Sequence, residues 1–159
     1  MAVVDVRYYD AEPEHVDAVL AELRPQDFHE LIAAAGPDIR GVMMRGLRMS
    51  DEAKVAIDEY GRVLCVFGVC PKDMLSDEAA PWLIGTTHLE QHTATLTRVG
   101  REYVKRWLED HPKLVNHVDV RNRWSVVWLK RIGFRMDKPQ PFGVAGLLFH
   151  RFHMEQASV

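Results

Sequence analysis

The segment 81-PWLIGTTHLEQHTATLTRVGREYVKRW-107 largely decides which fold the chain can adopt. Its first residues, 81–87, form an apolar run that is typical of a buried strand. Over residues 93–110 apolar positions recur at helical spacing and basic residues fall on another face, which predicts a long amphipathic helix. At such strand-to-helix junctions backbone N–H groups often bind phosphate, and several glycines usually let the chain approach it. The junction residues 90–93 contain no glycine.

Length and composition indicate one globular domain. A chain of 159 residues has room for one substantial core, so we expect a single domain over residues 1–159. The net charge of −3 provides no basic field to attract nucleic acid or an anionic membrane, and no apolar run approaches the ~20 residues of a membrane span. We therefore expect no nucleic-acid partner, no membrane association and a cytoplasmic site of synthesis. The two cysteines, Cys65 and Cys70, are expected to be free, buried thiols.

The remaining periodicity predicts a single α/β domain. The helix that follows strand 81–87 should return the chain in parallel to the next strand, 114–120. We expect these two strands to diverge beyond Thr86 and Val118 into a V-shaped cleft. Further strands are predicted at 3–8, 54–57, 63–69, 134–136 and 147–154, helices at 13–24, 25–36, 37–50 and 124–132, and a loop at 138–146.

The stretch 118-VDVRNRWSVVWLKRIGF-134 makes this pattern more specific. It resembles the segment of GNAT acetyltransferases in which a strand leads to an Asn and then to a helix that ends in a basic residue, Gly and Phe. Asn122 occupies the position of that Asn, and residues 129–134 match the helix end. The order of the predicted elements is also that of the GNAT fold. The resemblance implies a mixed, mainly antiparallel sheet with a parallel pair splayed at its centre and helices on its flanks.

Five pieces of the chain resemble a phage branch of this fold, the internal virion protein A of short-tailed coliphages and related GNAT-like proteins of tailed phages. The resemblance implies a virion head or tail component with other phage virion proteins as partners, self-association as a further option, and location in the host cytoplasm and then the virion. The five pieces are LRPQDFHEL (23–31), SDEAKVAIDEYGRVLCVFGV (50–69), PWLIGT (81–86), LVNHVDVRNRWSVVWLKRIGF (114–134) and FHRF (149–152).

The resemblance also implies an acetyl-CoA site, for which the usual pyrophosphate loop reads Q/R-x-x-G-x-G/A. Here that region has Gly100 as its only glycine, about two turns inside the predicted helix, and Glu90 places a negative charge where phosphates would lie. We therefore expect no cofactor. If acetyl-CoA binds after all, the residues expected to contact it are Thr86, Thr87, Thr93, Ala94, Thr95 and Asn122.

The catalytic groups of the family are also missing from their positions. The Tyr that protonates the departing thiolate commonly follows the Asn by seven residues, a position that Leu129 fills, and strand 81–87 carries no ionisable group to serve as base. We assign no catalytic residue. Two hypotheses remain: a virion structural or assembly protein with a degenerate acetyl-CoA site, or an active acetyl-CoA-dependent N-acetyltransferase with an atypical pyrophosphate loop.

Local patterns around the last helix give three further expectations. Asn122 precedes the helix and is expected to act as its N-cap rather than as a ligand group. Trp124 lies in the first turn and is the candidate for an exposed interaction residue. Gly133 should adopt a left-handed conformation that ends the helix, with Phe134 turned into the core.

The histidine pairs do not predict a metal site. His88 and His92 are four residues apart, but the acid between them is not placed as in the H-E-x-x-H helix. His150 and His153 are three apart on a predicted strand, so they should point to opposite faces and lie at the surface or sheet edge.

Overall fold

The computed structural model of the chain describes residues 6–157. Within this range a central sheet is flanked by helices, and a short 3-10 turn, Leu89–His92, precedes the longest helix. The strands are β1 (Arg7–Asp10), β2 (Glu52–Ile57), β3 (Val63–Pro71), β4 (Glu78–Gly85), β5 (Lys113–Asp119), β6 (Arg135–Met136), β7 (Gln140–Phe142) and β8 (Leu147–Glu155), and the helices are α1 (Pro13–Ala21), α2 (Pro25–Ala35), α3 (Ile39–Met49), α4 (Thr93–Asp110) and α5 (Arg123–Ile132).

The sheet has the strand order β1-β2-β3-β4-β5-β8-β6, and β7 pairs with β8 beside this path. Its pairings are antiparallel except for that of β4 with β5, which is parallel because α4 crosses over between them. The expected mixed, mainly antiparallel sheet with a central parallel pair is confirmed. No helix within residues 6–157 combines the length and apolarity that crossing a membrane requires.

The strands bury side chains on both faces of the sheet. Val55 and Val66 pack with the cluster formed by α1 and α3, whereas Cys65 and Phe67 pack with the cluster formed by α4 and α5. This division follows from the alternation of side chains along a strand. The cleft between β4 and β5 opens at the centre of this two-sided core.

Several boundaries differ from those predicted. β4 begins at Glu78 and ends at Gly85, so the apolar run at 81–87 marks only part of it. The loop predicted at 138–146 contains the short strand β7. The first strand lies at Arg7–Asp10, and residues 3–5 of the predicted strand lie outside the described residues. Cys65 is a buried free thiol as expected, whereas Cys70 is free but only partly buried.

The β4 and β5 strands separate earlier than predicted. Their parallel pairing covers only Glu78 with Lys113 and Ala79 with Leu114. The expectation that they stay together as far as Thr86 and Val118 was therefore wrong. Beyond this pairing, residues 81–84 of β4 and 116–118 of β5 line the space between the strands.

The C-terminal end of α5 has the predicted geometry. Gly133 has a positive φ of 124° and its N–H bonds to the carbonyls of Leu129 and Lys130. Phe134 follows with only 5% of its surface exposed. A glycine is favoured here because other residues adopt positive φ at a cost.

Candidate functional site

The cleft begins where the backbone pairing of β4 and β5 stops. Two positions beyond the last paired residues, Ala79 and Leu114, the amide Nδ2 of Asn116 donates to the carbonyl of Pro81 at 2.9 Å. A side chain thus takes the place of a backbone hydrogen bond between the strands. Beyond this bridge lies a cavity of about 400 Å³. This volume is within the range of small-molecule sites.

The cavity passes between the two strands and is bordered on both sides of the sheet. On one side it is lined by α4 and α5, including Leu96, Val99 and Trp128; on the other it is lined by α2 and α3, including Leu31 and Val42. Most of the lining is aromatic or aliphatic. Its polar members include Tyr8, Glu30, Asn116, His117 and Ser125.

The turn between β7 and β8 covers one end of the cavity. Phe142 stacks on His117 with 3.8 Å between ring centroids and 7° between planes. Val144 and Ala145 donate backbone N–H groups to the carbonyls of Ala34 and Ala33, both at 3.2 Å, at the last turn of α2. Burial and the nearby Arg151 lower the pKa of His117, so its ring is neutral near pH 7.

A buried polar network crosses the carboxyl end of the cleft, with Asp27 of α2 at its centre. The Asp27 carboxylate accepts from Arg24 Nη1 at 3.1 Å, from the backbone N–H of Gly85 at 2.7 Å and from Asn122 Nδ2 at 3.0 Å. Arg24, Asp27 and Asn122 are each at most 2% exposed. Burial raises the pKa of Asp27, against the opposing effect of Arg24. The network ties α2 to the ends of both cleft strands.

Glu30 extends the network to the cavity wall. Its Oε1 accepts from the backbone N–H of Asp119 at 2.8 Å, and the residue lines the cavity. Burial raises the pKa of Glu30 to about 8, a rise that the Asp119 N–H bond opposes and the nearby Asp27 reinforces. A carboxyl with such a pKa holds its proton at pH 7 and can release it slightly above.

Asp119 behaves in the opposite way. Burial alone would raise its pKa, but hydrogen bonds from the Arg121 side chain and backbone outweigh burial and hold the pKa below its usual range. The Arg121 guanidinium reaches Asp119 Oδ2 at 2.6 Å. Two acids connected by one hydrogen bond, Glu30 and Asp119, thus differ in charge at neutral pH.

The junction between β4 and α4 is held to the same network by Arg24. Its Nη2 donates to Glu90 Oε1 at 3.0 Å, and the Glu90 side chain is 47% exposed. Glu90 therefore does lie just before the start of α4, as the sequence indicated. Gly100 lies inside α4, where an added Cβ would come within 2.9 Å of Ile132.

The residues predicted to contact acetyl-CoA lie near one another but have different surroundings. Thr86 is buried, and its hydroxyl donates to the carbonyl of Val63 at 2.7 Å. Thr87 is exposed and its N–H bonds to the Glu22 carbonyl at 3.0 Å. Thr93, Ala94 and Thr95 form the first turn of α4, as expected.

Two predictions about the start of α5 need correction. Asn122 is the N-cap residue by position, but its side chain makes no capping bond, because its amide is directed to Asp27. Trp124 is half-buried rather than an exposed contact residue. Its ring stacks on that of Trp128 with 5.5 Å between the ring centroids, and the Arg24 guanidinium lies 4.9 Å from the Trp124 ring centroid. The indole Nε1 of Trp124 donates to Thr93 Oγ1 at 3.3 Å.

The histidines make separate contacts. His88 Nε2 lies 3.1 Å from Glu22 Oε2. His150 Nδ1 lies 2.8 Å from the Asp137 carbonyl and His153 Nε2 lies 3.1 Å from its carboxylate, so both reach the same residue despite their spacing. The part of the chain that the structure describes contains no group of three or more side chains placed to hold a metal ion.

The sequence reasoning did not identify Arg24, Asp27 and Glu30 as site residues. Their spacing of three was a usable signal, since residues at i, i+3 and i+6 follow one side of a helix. The pattern could not show that this side of α2 is directed into the cleft.

Solved structures of acetyltransferases share this architecture. A protein of Acinetobacter baylyi ADP1 described as a candidate acetyltransferase matches with a TM-score of 0.72 and 14% identity, over 98% of this chain and 94% of that one. The chain has the GNAT fold. Spermidine N-acetyltransferase from Vibrio cholerae, in complex with CoA and spermine, matches with a TM-score of 0.69 and 12% identity over 95% of each chain.

A third structural match is the aminoglycoside N(6')-acetyltransferase of Legionella pneumophila, with a TM-score of 0.69 and 10% identity over 98% of this chain and 94% of that one. No family model and no curated protein matches the sequence. At these identities the structural matches show the fold alone.

Proposed function

We propose that this chain is a GNAT-fold protein with a degenerate acetyl-CoA site, and that it serves as a structural or assembly component in the head or tail of a tailed phage. The observation that carries the first part is the hydrogen bond from the Gly85 N–H to Asp27. The next N–H, that of Thr86, points to β3, where it bonds to Leu64, so the Gly85 N–H is directed toward the cleft. A ligand bound there would have to displace a buried carboxylate.

The charges at the start of α4 add to this argument. A pyrophosphate needs N–H donors and cations, but here Glu90 brings a carboxylate to the junction. The cation beside it, Arg24, is already engaged by Asp27 and Glu90. The residues present therefore do not fit a CoA pyrophosphate in its usual position.

Leu129 occupies the position at which GNAT enzymes commonly carry the proton-donating Tyr, and it cannot take over that role. Leu129 is buried, with 9% of its surface exposed, and is part of the apolar cluster of α4 and α5. Its side chain cannot transfer a proton. We accordingly derive no catalytic step in which acetyl-CoA takes part.

The virion role rests on the resemblance of the five sequence pieces to phage virion proteins. Under this proposal the partners are other virion proteins, with self-association as an additional contact, and the protein passes from the host cytoplasm into the particle. Mass spectrometry of purified virions tests this role. Recovery of the chain at a constant copy number relative to the major capsid protein would support it, and its absence from particles would contradict it.

One observation favours the alternative, an acetyl-CoA-dependent N-acetyltransferase with an atypical pyrophosphate loop. Glu30 lines the cavity with a pKa of about 8, which suits a group that accepts a proton from an amine. In this case Thr86, Thr87, Asn122 and the first turn of α4, residues 93–95, would contact the cofactor.

Melting temperatures with millimolar acetyl-CoA separate the two proposals. A ligand present at a hundred times its Kd should add roughly 2.7 kcal/mol to the free energy of unfolding. We expect no shift. A rise in melting temperature of several degrees with acetyl-CoA, and a similar rise with free CoA, would favour the enzyme. Leu129→Tyr would then be the substitution expected to raise activity.

A further inference from the structure

The cavity between β4 and β5 has a lining that suits an uncharged ligand. Among the described residues that border it there is no Lys or Arg. His117 is neutral near pH 7 because burial lowers its pKa, and Glu30 holds its proton there. An anion entering this space would find no cation among the described residues that border it to compensate the loss of its hydration.

Two donors at the cavity wall have no hydrogen-bond partner among residues 6–157. The indole Nε1–H of Trp128 and the hydroxyl of Tyr8 are buried and form no hydrogen bond with any described residue. Both residues line the cavity, and Trp128 is only 8% exposed. Buried donors without partners are uncommon in native proteins and require an explanation. A ligand oxygen that accepts from Trp128 would supply one.

The aromatic lining of the cavity favours a ligand whose body, apart from the acceptor oxygen, is apolar. Trp107, Trp128 and Tyr103 border the same space as Leu96 and Phe67. Such a surface stabilises an aliphatic or aromatic body through burial of apolar area. With a volume of about 400 Å³, the space is sufficient for a compact small molecule.

We propose that this cavity binds a neutral apolar molecule that carries one acceptor oxygen, such as a medium-chain ketone or ester, with the oxygen accepting from the indole N–H of Trp128. This inference rests on the degenerate acetyl-CoA site proposed above, because in the alternative the cavity lined by Glu30 would hold the reacting groups. The hydroxyl of Tyr8 provides a second donor for ligands with a further oxygen.

Calorimetric titration with three compounds of one chain length tests the ligand class. The compounds are methyl hexyl ketone, the alkene in which a methylene group replaces the carbonyl oxygen, and octanoate. We expect the ketone to bind at one site, the alkene to bind about 3- to 10-fold more weakly, and octanoate not to bind. No binding of the ketone, or binding of octanoate as tight as that of the ketone, would overturn the proposal.

Variants then locate the site. Trp128→Phe keeps an aromatic ring but removes the donor. It should therefore weaken the binding of the ketone about 3- to 10-fold and leave the affinity for the alkene unchanged. Val99→Phe fills the cavity and should abolish binding of both, whereas the same substitution at Val127, which is 47% exposed on α5, should not. Equal loss of ketone and alkene with Trp128→Phe, or full binding by Val99→Phe, would contradict the assignment. Circular dichroism and melting curves confirm that each variant is folded.

Discussion

The two strand-to-helix junctions of the cleft are held by different kinds of contact. At the β5–α5 junction, Asp119 accepts from the Arg121 backbone and guanidinium, and Asn122 donates into the buried network. At the β4–α4 junction, a 3-10 turn leads to His92, the N-cap residue of α4, which forms no side-chain capping bond. The charged contact between this junction and the buried network is the pair formed by Arg24 and the half-exposed Glu90.

The difference shows which part of the cleft determines its shape. Arg24 contributes to both junctions, but only its contact with Asp27 is fully buried. Removing one partner of a buried charge pair strongly destabilises the folded protein, whereas an exposed pair contributes little to its stability. The Asp27 side of the network should therefore determine the separation of the strands, and the Glu90 side should adjust it only slightly.

The largest expected effect is that of Asp27→Leu. It leaves the Arg24 charge buried and leaves the Gly85 N–H and the Asn122 amide without their acceptor. We expect a loss of about 3–5 kcal/mol in the free energy of unfolding, measured by urea denaturation. Glu90→Gln is the matched control at the rim and should cost less than about 1 kcal/mol. Similar losses for the two variants would remove the distinction between the junctions.

The second prediction uses the raised pKa of Glu30. Its pKa is about 8 in the folded state and 4.5 ordinarily, so between these values the folded state binds more protons than the unfolded state. The contribution of Glu30 to stability is therefore present at low pH and is lost as the pH rises from about 4.5 to about 8. Relative to Glu30→Gln, the wild type should lose free energy of unfolding between pH 5 and pH 8. A constant difference over this range would show that Glu30 is charged in the folded protein.

A third prediction concerns the far end of α5. Gly133 has a positive φ, so Gly133→Val should cost about 1–2 kcal/mol more than Gly133→Asn, because a β-branched side chain tolerates this conformation poorly. Thermal denaturation of the two variants measures the difference. Equal melting temperatures would mean that the helix end does not require the glycine conformation.

The two N-cap positions should respond in opposite directions, and the change at His92 is the smallest that we expect. His92→Ser adds a capping acceptor that α4 lacks, and should stabilise by about 0.5–1 kcal/mol. Asn122→Ser should destabilise by about 1–3 kcal/mol, because the amide it removes bonds Asp27 instead of capping α5. Both values follow from denaturation curves. Changes of the same sign would indicate that the two junctions are equivalent after all.

The elements that the sequence predicted well depend on local periodicity. The bounds of α4 agree with the predicted 93–110, and the parallel relation of β4 and β5 follows from the crossover that this helix makes. The end of α5 at Gly133 was also predictable, because glycine is the residue that most readily adopts the positive φ with which helices often end.

The polar network depends on contacts between distant parts of the chain. Asp27 and Asn122 are 95 positions apart, and Asp27 and Gly85 are 58 apart. Nothing local to α2 indicates that its acids are buried, and nothing local to Trp124 indicates that Arg24 covers its ring. The early separation of β4 and β5 has the same origin, since the network and the cavity occupy the space between the strands.

The most direct test of the account follows the backbone amides of the cleft during an acetyl-CoA titration. Nitrogen-15 correlation spectra resolve the Gly85 amide and the amides of the first turn of α4, Thr93 to Thr95. If Asp27 occupies the Gly85 N–H and Glu90 repels phosphate, these resonances should stay unchanged at millimolar acetyl-CoA, as they should with free CoA. Saturable shifts of Gly85 together with the Thr93 to Thr95 amides would contradict the account, because they would show the cofactor bound where the network lies.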